Sequence, residues 1–168
     1  MRRLWTPWRL EFVTGPRAAG CIFCEKVQQN TDRKNFILYR GAEAFIILNL
    51  YPYNNGHLMV VPYAHVGDLE KVEDTCLAEM MRLAKRSVAT LRKVMNPNGF
   101  NLGFNLGKAA GAGIHEHLHL HIVPRWEGDT NFMPVLCETR IIPELLETTY
   151  DKLLAAGIAD DDEKLTDQ

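Results

Sequence analysis

Three histidines at alternate positions, His117, His119 and His121, concentrate half of the chain's six histidines within five residues. Residues two apart on a strand lie about 6.6 Å apart and point the same way, so the three imidazoles would stand in one row. A core would fill these positions with valine or isoleucine, because every buried imidazole needs hydrogen-bond partners. Two chemistries suit the row. Two or three rings could hold a catalytic metal, as in zinc sites with three protein ligands. Alternatively, one ring is itself the nucleophile, attacking phosphorus to give a phosphoramidate while its neighbours fix its tautomer. The loop upstream, Asn105 to Gly113, is rich in glycine, lacks bulky side chains and offers backbone N–H groups to phosphate oxygens. Together, row and loop favour phosphoryl or nucleotidyl transfer.

Other chemistries find little support. Ser87 is the only serine and falls on the apolar stripe of a long helix, which excludes a serine-hydrolase triad. Gly107-Lys108 is followed by Ala109 and lacks the upstream glycine of a P-loop. Cys21 and Cys24 form a C-x-x-C pair, whereas Cys76 and Cys137 stand alone in apolar patterns, so a disulfide framework is not expected. No helix N-terminus is expected after the pair, which argues against a redox role. Lys108 and Arg125 are steering cations for an anionic substrate or simply solvated charges, and Trp126 reads as core or interface before base stacking. His115 reads as a surface residue.

The elements that position these residues follow from periodicity. Phe36–Tyr39 and Ala44–Leu48 read as a hairpin, and His57–Pro62 as the next strand after a turn-rich segment. From Leu69 the apolar residues Val72, Cys76, Met80, Leu83, Ser87, Leu91 and Met95 recur at steps of three and four, predicting a helix that exposes Glu70, Lys71, Glu79, Arg82 and Lys85. Asn96-Pro97-Asn98-Gly99 stops it. Period two returns over Phe100–Leu106 and again in the histidine run, with Leu118, Leu120 and Ile122 opposite the histidines. A last helix is expected from Pro143, with Leu145, Leu146, Tyr150, Leu153 and Leu154 apolar. The organisation is one α+β domain over 21–157, preceded by a basic, tryptophan-bearing arm over 1–20 and followed by an acidic, disordered tail over 158–168.

With 46% hydrophobic residues in 168, the chain can bury one core, and a formal net charge of −2 argues against stable nucleic-acid binding. No export signal or membrane-length apolar run is visible, so a cytoplasmic location is expected and no membrane partner.

His117-Leu118-His119-Leu120-His121-Ile122-Val123 resembles the signature of the histidine triad (HIT) family, H-φ-H-φ-H-φ-φ. Gly56-His57 through Pro62 to His65 is similar to a second family segment, as is Cys21-Ile22-Phe23-Cys24. Leu4–Arg9 and Pro124-Arg125-Trp126 are similar to its bacterial diadenosine tetraphosphate phosphorylase or hydrolase branch. The resemblance implies an antiparallel sheet with a long helix and a C-terminal helix, the sheets of two protomers joined in a homodimer. It implies a double displacement at a nucleotide α-phosphorus, most of all in diadenosine polyphosphates, with nucleoside phosphoramidase or adenylyl hydrolase activity and nucleotide sensing as alternatives. By resemblance His119 is the nucleophile, flanked by His117 and His121, with His57 completing the cluster. Asn49 would bind ribose, Asn105 phosphate, and Gly111, Gly113 and Ile114 line the substrate. Many members carry glutamine then serine or threonine where this chain has Ala112-Gly113, so backbone N–H groups carry more of the phosphate contact here. Cys21, Cys24, His65 and His117 resemble the Cys2His2 structural zinc site of some members. Zinc there would occupy His117 and leave His119 and His121 free.

Overall fold

The computed structural model describes residues 20–129, 142 and 144–160; the amino-terminal arm, Cys137, Pro143 and most of the acidic tail lie outside the described residues. A short helix α1 (Ile22–Gln28) and a single turn α2 (Asp32–Asn35) lead into strands β1 (Ile37–Arg40), β2 (Ala44–Leu48) and β3 (Leu58–Pro62). After a 3-10 turn (Leu69–Lys71) comes the long helix α3 (Asp74–Met95), then β4 (Gly99–Phe104), a second 3-10 turn (Lys108–Ala110), β5 (Leu120–Arg125) and helix α4 (Leu146–Ala155). The sheet order is β1-β2-β3-β5-β4, antiparallel throughout. The chain therefore inserts β5, which carries His121, between β3 and β4, with Met59 opposite His121 and Leu58 opposite Ile122.

Strand alternation gives the sheet two chemically different faces. Ala44, Ile46, Leu48, Leu58, Val60, Leu120 and Ile122 lie on one face, packed with the Met80, Leu83 and Leu91 stripe of α3 and with Tyr150 and Leu153 of α4. Phe45, Ile47, Met59 and Val61 lie on the other, against Phe23 of α1. Each side chain of that size stabilises the fold by about 1.5–3 kcal/mol when fully buried, so both faces contribute. Both faces of β2 and β3 are covered, and all ten of their residues are buried.

The helix expected from Leu69 begins at Asp74; Leu69–Lys71 forms the 3-10 turn before it. It ends where the sequence places its stop: Asn96 takes a left-handed conformation and its N–H closes on the Arg92 carbonyl. Glu79 differs from expectation. It is 7% exposed rather than on the solvent face. Its carboxylate accepts the backbone N–H groups of Ala42 (2.9 Å) and Glu43 (2.5 Å), capping the β1–β2 turn. Gly41 is glycine for the same reason, since a Cβ there would sit 2.5 Å from the Glu79 carboxylate oxygen. Ser87 stays in the apolar stripe by donating to the Leu83 carbonyl at 2.8 Å.

Two further expectations shift. Leu145 is 72% exposed and precedes α4 instead of joining its apolar face. Ile158, the first residue of the expected tail, is fully buried in the core. β4 is an edge strand, and Leu102 on it is 44% exposed. No helix among the described residues is long and apolar enough to cross a membrane.

Candidate active site

Of the row expected on one strand only His121 lies in β5; His117 and His119 precede it, beside Phe23 of α1, and the three divide into two clusters. His119, His121 and His57 form one. His117 turns away to join Cys21, Cys24 and His65. The three triad histidines and His57 are all buried.

Hydrogen bonds fix which nitrogen carries each proton, because carbonyls only accept and backbone N–H groups only donate. His119 Nδ1–H donates to the His117 carbonyl (2.9 Å), leaving the lone pair on Nε2. His57 is fully buried; its Nδ1 accepts the Tyr53 N–H (3.0 Å), so its Nε2–H donates to His121 Nδ1 (2.9 Å). His121 must then carry its own proton on Nε2, which lies 3.2 Å from the Asn105 amide group. For that proton to be accepted, the amide must present its oxygen. A directed chain thus runs from the Tyr53 backbone through His57 and His121 to Asn105.

Burial holds these rings neutral. The pKa of His57 falls to about 3, mainly because the ring is desolvated and secondarily through His121 and His119. That of His121 falls to about 4, from burial and then His119. His119 is also lowered by burial, which its bond to the His117 carbonyl partly offsets. At neutral pH His119 therefore presents an unprotonated Nε2.

Asn49 is half-buried beside this cluster. Its Oδ1 accepts the Tyr51 N–H (2.9 Å) and its Nδ2 approaches His57 Nδ1 (3.3 Å). Ile114 packs on the Phe23 cluster, and Gly113 is exposed on the loop. Gly111 departs from the simple cradle: it is left-handed (φ 86°) and its N–H closes on the Lys108 carbonyl at 3.0 Å. His115 and Lys108 line an open cleft of about 440 Å³ with Gly67, Asp68 and Glu70. Trp126 donates its indole N–H to the Met95 carbonyl at the end of α3 (3.4 Å), tying the residue after β5 to the helix terminus.

The second cluster brings together Cys21 and Cys24 of the amino-terminal turn with His65 and His117, whose ligand atoms all lie within 4.8 Å of one another. His117 Nε2–H donates to the Pro62 carbonyl (2.9 Å), so its Nδ1 lone pair faces Cys21 Sγ (3.2 Å), Cys24 Sγ (3.6 Å) and His65 Nδ1 (3.3 Å). Three groups converge on one lone pair, more than any single proton can satisfy. A tetrahedral ion with bonds of about 2.0–2.1 Å to nitrogen and 2.3 Å to sulfur would set the N···N edge near 3.3 Å and the N···S edge near 3.6 Å. The donor set fits zinc. Contrary to the sequence expectation, a helix N-terminus does lie at the pair, with Cys21 the N-cap of α1 and Cys24 in its first turn. Even so, the Cys24 thiol is pushed up by burial and by Cys21, the opposite of an activated redox cysteine.

Sequence reasoning missed Tyr53, whose N–H sets the His57 tautomer and whose ring lies 4.5 Å from it, and Phe23, whose ring lies 5.3 Å from both His117 and His119. Only the position of Phe23 between the two cysteines hinted at its place.

An antiparallel sheet with three alternating histidines, tautomers fixed by backbone groups, defines the histidine triad class. The HIT domain model matches residues 30–128, and the chain belongs to that family. It is similar to the AP-4-A phosphorylase of Mycobacterium tuberculosis, 40% identical over 163 residues that cover 92% of this chain and 83% of that protein. The adenosine 5'-monophosphoramidase of Saccharomyces cerevisiae is 30% identical over 107 residues, covering 64% of this chain and 63% of its own length. Among solved structures, a Zn-bound histidine triad family protein from Mycobacterium smegmatis superposes with a TM-score of 0.66 at 30% identity, covering 82% of this chain and 92% of that one.

Proposed function

We propose that this chain is a nucleotidyl hydrolase or transferase that cleaves dinucleoside polyphosphates, diadenosine tetraphosphate above all, through a nucleotidyl-histidine intermediate. The observation that carries the reading is the tautomer of His119: with Nδ1–H given to the His117 carbonyl, a neutral ring keeps its lone pair on Nε2 as the nucleophile. The 40% identical relative named as an AP-4-A phosphorylase supports the substrate.

In the first step His119 Nε2 forms a bond to the α-phosphorus, and the bond to the bridging oxygen breaks with its electron pair leaving on the departing nucleotide. The positive charge on the ring is held by Nδ1–H against the His117 carbonyl. The Nε2–H of His121, oriented by His57, is available to a phosphoryl oxygen once substrate displaces the Asn105 contact. Asn105 would then hold phosphate and Asn49 the ribose, while Gly113 and Ile114 bound the nucleotide and Gly111 shapes the loop. Water in the second step yields AMP, and inorganic phosphate yields ADP. Zinc on Cys21, Cys24, His65 and His117 would cross-link the amino-terminal turn to the segment that leads into β5, with no step passing through it. The homodimer would form through the exposed edge of β4, and reduced, paired thiols suit the cytoplasm.

The test is incubation with labelled diadenosine tetraphosphate, with and without phosphate. An acid-labile nucleotidyl adduct in wild type, absent from His119→Ala, is expected, and phosphate-dependent ADP would mark a phosphorylase. Wild type that never becomes labelled while turning over substrate would sink the covalent route.

A further inference from the structure

We propose that Phe23 is a positioning residue that ties the orientation and tautomer of His119 to the Cys21, Cys24, His65 and His117 cluster. The inference rests on the reading of His119 as nucleophile and adds how this chain keeps that ring aimed.

Phe23 is buried midway between the two thiols on α1, and its ring centroid lies 5.3 Å from His117 at an interplanar angle of 66° and 5.3 Å from His119 at 49°. It is the described side chain whose ring contacts a member of each histidine cluster from outside the segment 117–121. The need for such a contact follows from magnitudes. The final torsion of a histidine is broad and roughly two-fold, and flipping the ring exchanges Nδ1 for a carbon. The bond from His119 Nδ1 to the His117 carbonyl opposes that flip, but one neutral hydrogen bond biases an equilibrium by a factor of only about 2 to 10. Packing against Phe23 supplies the remaining restriction by filling the space through which the ring would turn.

Phe23 in turn needs an anchor. Helix α1 has seven residues, and Cys21 makes no side-chain capping bond, so the helix is too short to persist on its own propensity. It is held by the burial of Phe23 among Ile37, Phe45, Ile47, Met59 and Val61, and by the convergence of Cys21 and Cys24 on His117 and His65. His117 is common to both ties: its ring belongs to the Cys/His cluster and its carbonyl holds His119. The cluster and Phe23 therefore grip the nucleophile's neighbour from the ring side and the nucleophile itself from its flank.

The test uses full-length, zinc-replete protein labelled with ¹⁵N-histidine. Long-range ¹H–¹⁵N spectra report which ring nitrogen carries the proton, metal content is measured by mass spectrometry, and single-turnover labelling gives the nucleotidylation rate. Wild type should show His119 protonated on Nδ1 alone. Phe23→Ala should keep its metal, mix the two His119 forms, and lose about 10- to 100-fold in the labelling rate. Phe23→Leu should recover part of both, and it decides the matter should Phe23→Ala fail to fold. Ile47→Ala, which loses packing in the same cluster on β2, separated from β5 by β3, should leave the His119 spectrum unchanged. The proposal is overturned if the folded, metal-replete Phe23 variants retain a single Nδ1–H form and the wild-type rate, or if Ile47→Ala mixes the forms equally. Because the tautomer is read without substrate, a wild type that forms no nucleotidyl adduct would refute the covalent route and leave this test intact.

Discussion

His57 gives the sharpest quantitative prediction, because it is fully buried and its protonation is pushed down to about pH 3. In the unfolded chain the same ring protonates near pH 6.5. An imidazole kept neutral by the fold contributes stability that is complete above about pH 6.5 and is lost as pH falls from there toward the folded value. At pH 5 the folded His57 and His121 are both still neutral, whereas both unfolded rings are almost fully protonated. Each ring then removes about 2 kcal/mol of stability relative to pH 8, so the pair removes about 4 kcal/mol. His57→Gln deletes one of the two contributions. Urea unfolding of wild type and variant at pH 8 and pH 5, with metal saturating at both, should show the variant losing about 2 kcal/mol less. Carboxylates and metal ligands titrate in both proteins and cancel in the comparison. Equal losses in the two proteins would refute the claim that burial, through the Tyr53 N–H and the His121 contact, holds His57 neutral.

Two other perturbations test the frame around the site. Glu79→Gln replaces one acceptor oxygen with a donor amide against the Ala42 and Glu43 N–H groups, and should cost about 1–3 kcal/mol by thermal or urea unfolding; an unchanged midpoint would mean the β1–β2 turn does not depend on that cap. Light scattering should give twice the 19.1 kDa chain mass if β4 pairs across a homodimer, and Leu102→Lys on that edge should shift the mass toward one chain; a single-chain mass in wild type would remove the shared sheet.

Most of the frame was legible because periodicity is a local property. Ala44–Leu48 is the second strand with the boundaries read from sequence, and the α3 stripe from Cys76 to Leu91 faces the core as its spacing requires. Placing β5 between β3 and β4 was not legible, since strand order depends on pairings far apart in sequence. Glu79 was misassigned because helical period counts a carboxylate as solvent-facing, and only the fold brings the Ala42 and Glu43 N–H groups within its reach. Among site residues, the histidines announced themselves by spacing. Tyr53 did not, because it acts on His57 through a backbone N–H that any residue but proline would supply. Phe23 did not either, being one apolar residue among many until its contacts with two histidines are seen.

The alternation that puts three imidazoles on one face does not by itself give them one task. Equal spacing would let all three rings point into a common site, yet His117 spends both ring nitrogens on structure: Nε2–H on Pro62, and Nδ1 toward two thiols and His65. What it contributes to His119, the proposed nucleophile, is its carbonyl, which accepts the His119 Nδ1–H. A main-chain acceptor is useful there only if the main chain is held, and it is held both by the ring contacts of His117 and by the bond from the Leu118 N–H to the Val66 carbonyl (2.7 Å). His121 has the complementary arrangement, with one nitrogen given to His57 and the other facing Asn105 at the mouth of the glycine loop. Substituting the outer two histidines should therefore have unlike consequences. Loss of the His117 ring acts on the aim of His119 and on metal content together, whereas loss of the His121 ring removes a proton donor and leaves the Cys21, Cys24 and His65 donors where they stand.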